Sequence, residues 1–130
     1  MLADTEFKSA AQLTCQECME GAMLADRLGF STVRKGEGNN WAPGVVLSAR
    51  TSHIAVGRGV NHVFARTPVS FAVEAATLNE LVDGRYIAGL GVGKETVARW
   101  HVSVYRTPTK IIREYVSVVR RVYAGEWWDG

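Results

Sequence analysis

Residues 54–93 read IAVGRGVNHVFARTPVSFAVEAATLNELVDGRYIAGLGVG, and their order decides the fold. Ile54-Ala55-Val56-Gly57 is a short apolar run with strand character. Arg58 to Thr67 is a loop rich in turn formers. Thr67-Pro68 caps and opens a helix-periodic segment that Asp83-Gly84 closes. Arg85–Leu90 is the next strand, followed by glycines at 91 and 93. Strand, loop, helix, strand is a βαβ unit, a right-handed crossover between parallel strands. In such sheets the ligand sits outside the carboxyl ends of the strands. That singles out Gly57–Asn61 and Leu90–Glu95.

Toward the N-terminus, Ser9-Ala10-Ala11-Gln12 fits a capping box. Leu13, Cys15, Met19, Met23 and Leu28 then recur at helical spacing, and Gly29 is a fitting stop, so a helix is expected from about Ala10 to Leu28. Phe30 to Lys35 reads as a strand, and residues 36–40, GEGNN, as a loop. Pro43 opens a short helix over Val45 to Arg50. In the central helix Val69, Ala72, Val73, Ala76 and Leu81 are expected to line the buried face, with Glu74 and Glu80 on the solvent side. Residues 95–106 show no clear period. Pro108 starts a last helix, with Ile111, Ile112, Tyr115, Val119 and Val122 apolar, and Gly125 stops it.

The 130 residues carry a formal charge of +2, and the basic residues are scattered, with the Arg120-Arg121 pair on a helix, which is no nucleic-acid surface. No apolar run approaches the roughly 20 residues of a membrane span. The opening MLADTEFKSAAQ is acidic and lacks the apolar stretch of a secretory signal. Cys15 and Cys18 read as structural thiols of a reducing, cytoplasmic setting, since no second pair completes a zinc site. His53, His62 and His101 lie apart, so no metal site is expected. The alternation of helix and strand indicates one α/β domain over residues 1–130 with a parallel sheet. Three strands are legible, none ahead of the first helix. So small a parallel sheet has open edges. The chain is therefore expected to pair with another copy or to belong to something longer.

The chain resembles the luciferase-like flavin and deazaflavin oxidoreductases, a TIM-barrel superfamily, and within it the branch that uses coenzyme F420. The resemblance rests on residues 24–30 (LADRLGF), 51–60 (TSHIAVGRGV), 66–68 (RTP), 74–81 (EAATLNEL), 84–86 (GRY), 90–93 (LGVG), and on Arg113-Glu114-Tyr115 through Tyr123-Ala124-Gly125-Glu126. It implies a partial (β/α) TIM barrel. A full barrel takes roughly 250 residues, about twice this length. Two departures are expected: no first strand, and no second half to hold a cofactor's phosphate tail.

The resemblance also implies a chemistry. The strand at Ile54–Gly57 should end in a non-proline cis peptide at Gly59–Val60, against which the cofactor ring lies. A planar tricyclic ring needs a backbone wall on one face. Glycine allows the close approach, and Asn61 offers an amide near the ring's polar edge. Read alone, the same glycines fit an ordinary strand-to-helix turn. Glu37, after the preceding strand, is the candidate proton donor or hydrogen-bond acceptor; a solvated loop is the alternative. Gly91, Val92 and Gly93 end another strand, and their N–H groups, with Lys94, could receive an anion. Trp100-His101 could cover the pocket or pack on a neighbour. The implied reaction is hydride transfer between F420 and a small organic substrate. An FMN-dependent monooxygenase, or a half-barrel that only self-assembles, is the alternative.

Overall fold

A computed structural model describes residues 6–9, 15–36, 45 and 49–126. In chain order the elements are β1 (Glu6–Ser9), α1 (Cys15–Arg27), β2 (Thr32–Lys35), β3 (Ala55–Arg58), β4 (Asn61–His62), α2 (Pro68–Leu81), β5 (Tyr86–Ile87), β6 (Leu90–Gly91), α3 (Glu95–Trp100) and α4 (Pro108–Tyr123). The strands form two parallel ladders. One runs in the order β1-β2-β3-β5, and the other pairs β4 with β6. The α/β class, the parallel sheet and the βαβ unit are as expected.

One expectation fails at the N-terminus. A first strand is present: Glu6 to Ser9 pair in register with Thr32 to Lys35. A short, mostly polar segment carries little strand signal of its own, and its pairing is set by the distant edge of β2. Ser9 ends that strand. The expected cap at residues 10–12 lies outside the described residues, as do residues 46–48 of the expected short helix and Glu37. Val45, Ala49 and Arg50 are helical.

The register fixes which side chains share a face, because alternate residues point opposite ways. Val33, Val56 and Tyr86 form one row across the sheet. Val33 and Val56 pack with Ile54 against Ala22 and Ala25 of α1. Tyr86 packs against a second cluster built from Phe71, Ala72 and Ala75 of α2 and Tyr115 and Val119 of α4. The opposite row, Arg34, Gly57 and Ile87, faces away from these helices.

α2 begins as expected, with the Thr67 hydroxyl accepting from the Ser70 N–H at 3.3 Å. Its buried face shares only Ala72 with the expected one. Phe71, Ala72, Ala75 and Leu78 are buried, while Val69, Val73 and Leu81 are exposed. The helix is apolar nearly all round, so periodicity cannot choose a face, and the large Phe71 ring takes the inside. Glu74 is not simply solvated either, since it is half-buried and pairs with Arg66 at 3.4 Å. The ambiguous stretch 95–106 resolves into α3, a turn and an irregular segment.

Two staples hold the sheet to its surroundings. The Asp26 carboxylate accepts from the backbone N–H groups of Ser52, His53 and Ile54 at 2.7, 3.0 and 2.7 Å, tying α1 to the entry of β3. The Arg85 guanidinium donates to the carbonyl oxygens of Ile54 and Thr51 at 2.6 and 3.0 Å.

Candidate functional site

The expected single strand 85–90 is two short ones, and the expected loop 58–67 contains β4. The cause lies between them. Gly57 pairs with Ile87, and the next pair is Asn61 with Leu90. Residues 58–60 therefore stand opposite residues 88 and 89, three against two. That surplus is a β-bulge, which leaves a residue out of the ladder and turns the backbone outward. The Gly59–Val60 peptide at its crest is cis, as the resemblance implied.

Glycines make the interlock possible. A Cβ on Gly57 would stand 2.9 Å from the Ile87 carbonyl oxygen, and one on Gly91 would stand 2.5 Å from Val60 Cγ2. At Gly89 it would strike the Arg58 carbonyl oxygen, and at Gly93 the His62 ring. Gly59 differs. It is exposed, and the nearest atom to a Cβ there is Arg34 Cδ at 3.6 Å. Among these rim glycines, Gly59 alone leaves space where a side chain would be. A flat ring fits against such bare backbone, so the residues present suit a flavin or deazaflavin ring.

Asn61 is placed differently from the expectation. Its side chain is buried, not turned out toward a ring. Oδ1 accepts from Arg58 Nη1 at 3.2 Å, and Nδ2 donates to the Gly89 carbonyl at 3.0 Å. The Tyr86 hydroxyl belongs to the same group. Burial raises its pKa above the ordinary 10.0, against the opposing pull of Asn61, Arg58 and Arg66. From sequence, Arg58 stands only within the candidate stretch Gly57–Asn61, and Tyr86 and Gly89 carry no site role. A lone arginine between two glycines at a strand end was the available signal for Arg58.

Gly91, Val92 and Gly93 lie beside Val60 and His62, so the structure brings the two expected strand ends together. The segment after α3 is pinned over them. Tyr105 donates to the Gly93 carbonyl at 3.3 Å, Ser103 donates to the Phe64 carbonyl at 3.1 Å, and the Phe64 and Tyr105 rings lie 5.1 Å apart. His101 lines a hollow with Phe64, Arg66 and Ser103, whereas Trp100 is 70 % exposed. Among the described residues no group of three or more His, Cys, Asp or Glu converges as metal ligands. Among them, too, no helix is long and apolar enough to cross a membrane.

Known proteins share this fold. The chain is 36 % identical over 115 residues to a Mycobacterium tuberculosis protein provisionally described as a coenzyme F420-dependent oxidoreductase, matching 85 % of the chain and 33 % of that protein. It is 29 % identical over 109 residues to 5,10-methylenetetrahydromethanopterin reductase of Methanolobus tindarius, with 81 % and 33 % covered. The chain thus spans about a third of the length of these curated relatives. Among solved structures, the oxygenating constituent of 3,6-diketocamphane monooxygenase from Pseudomonas putida, in complex with FMN, superposes with a TM-score of 0.83. The match is at 16 % identity and covers 93 % of this chain and 40 % of that one. The F420-dependent tetrahydromethanopterin reductase of Methanopyrus kandleri superposes with a TM-score of 0.80 at 20 % identity, over 92 % and 40 %. These are luciferase-like TIM barrels, and this chain folds as part of one. The sequence model of the luciferase-like monooxygenases matches residues 3–130, and the chain belongs to that family.

Proposed function

We infer that the chain carries the ring-binding face of an F420-dependent oxidoreductase acting on a small organic substrate. The observation that carries this is Gly59, exposed and without a side chain at the crest of the bulge where β3 ends. The relative and the solved structure that are described as F420-dependent favour the deazaflavin. The neighbour that binds FMN keeps FMN as the alternative.

When bound, the cofactor would supply hydride transfer to or from the substrate. The chain's own part is to hold and orient. Gly59 and Val60 would support one ring face, leaving the other for substrate, and orientation of this kind lowers the barrier without a covalent catalyst. Gly91, Val92 and Gly93 would border the ring from the next strand end. Asn61 acts from behind. Glu37, two residues beyond β2 in sequence, is the candidate to hold or deliver a proton. The buried thiol of Cys18 suits a cytoplasmic setting.

Titration with oxidised F420, and with FMN for comparison, followed by fluorescence, tests this reading. Saturable F420 binding at one site per chain or per dimer supports it, and tighter FMN binding moves it to the monooxygenase alternative. A folded chain that binds neither ring overturns it.

A second reading has its own observation. Val69, Val73 and Leu81 on α2 are exposed apolar residues that, with the open sheet edge, favour self-association. Light scattering across a concentration series tests it, and a monomer throughout rejects it.

A further inference from the structure

Arg58 and Asn61 are 5 % and 3 % exposed, two buried polar side chains in a stretch otherwise made of glycine and valine. They bracket Gly59 and Val60. The Arg58 Nη1 to Asn61 Oδ1 bond of 3.2 Å closes a ring across that protruding pair. Asn61 is then tied twice to the link between β5 and β6: its backbone N–H at 2.7 Å and its Nδ2 at 3.0 Å both donate to the Gly89 carbonyl. Gly89 in turn lies so close to the Arg58 carbonyl that no Cβ fits. Burying a guanidinium and a carboxamide is costly unless their polar atoms are satisfied. Here the satisfying bonds run between the two ends of the bulge and the β5–β6 link opposite.

We propose that Arg58, Asn61 and Gly89 form a clamp that sets the shape of the Gly59–Val60 wall. Arg58 and Asn61 are thereby positioning residues for ring binding. This deepens the functional reading above and rests on it. A bulge has one residue without a ladder partner, so the ladder alone does not define its path. The clamp supplies the missing definition. Small displacements of a supporting group weaken a site out of proportion to their size, so the shape of the wall matters to the ring as well as to the fold.

The test uses the whole chain and three substitutions. Asn61→Ala removes the side-chain bonds to Arg58 and to the Gly89 carbonyl. Arg58→Lys keeps the charge and loses the planar fork. Asp26→Asn, which weakens the staple at the other end of β3, serves as the comparison for general destabilisation. Two quantities are read: amide hydrogen exchange at residues 59–61 without cofactor, and the dissociation constant and absorption spectrum of bound FMN. With N61A, exchange speeds up at least tenfold, FMN binds at least tenfold more weakly and the spectrum of bound FMN shifts. R58K lies between N61A and the unsubstituted chain. D26N, at a comparable loss of Tm, leaves the exchange at 59–61 and the FMN affinity unchanged. Unchanged exchange and affinity in N61A overturn the proposal. So does a D26N chain that loses as much affinity as N61A for the same loss of Tm. Should N61A not fold, R58K against D26N makes the same comparison. If the unsubstituted chain binds neither FMN nor F420, the functional reading fails, and the exchange data still decide the clamp.

Discussion

Val60 fills the space that a side chain on Gly91 would need, since a Cβ there would stand 2.5 Å from Val60 Cγ2. The bulge and the end of β6 are therefore fitted to each other. Gly91→Ala should destabilise the chain by about 1–3 kcal/mol, the usual cost of overpacking. Val60→Ala in the same chain should recover part of that loss, because the two changes act on one contact. Urea unfolding of the two single variants and the double variant checks this, and strict additivity would contradict it.

The legible parts of the fold were those with local signals. Pro68 and Pro108 mark helix starts, Thr67 caps, and the glycines at 29 and 125 adopt the positive φ of helix stops. What sequence did not disclose depended on distant partners. β1 exists because β2 offers an edge. The inner face of α2 is chosen by Phe71 against α4, not by its own apolar pattern. The position of the bulge at Gly59–Val60 was available only through the family resemblance. Its clamp was not: burial of Arg58 and the inward turn of Asn61 follow from the meeting of residues about thirty apart.

Asp26 gives the fold a pH dependence. Burial raises its pKa, but the N–H groups of Ser52, Ile54 and His53, with the His53 charge, outweigh it, and the value falls below 3.8. A carboxylate held below its unfolded pKa stabilises the fold above that value and loses the effect as pH falls through the folded one. The contribution should therefore be complete above about pH 5 and fade below about pH 4. With its side chain only 10 % exposed, Asp26→Asn should cost about 1–3 kcal/mol at pH 7, the range for losing charge-assisted bonds. Melting curves at pH 7 and pH 3 check it: the gap between D26N and the unsubstituted chain should narrow at pH 3.

Val102 is 95 % exposed and has a φ of +54°, a left-handed conformation that a β-branched residue adopts at a cost. Val102→Gly removes that cost and sacrifices no burial, although glycine's greater freedom in the unfolded chain offsets part of the gain. The two costs nearly balance, and a net stabilisation of about 0.5–1 kcal/mol is expected. Calorimetry should show Tm rising by a few degrees, with affinity for the ring unchanged.

The central claim is that bare backbone at Gly59 faces the ring, and Gly59→Val tests it most directly. The position is exposed and has room for a side chain, so the variant should fold with little change in Tm. The added side chain would stand where the ring is proposed to lie. The expected result is saturable F420 or FMN binding by the unsubstituted chain and at least a tenfold loss in G59V. Equal affinity in the two proteins, both folded, would show that the ring does not rest on Gly59 and would contradict the account.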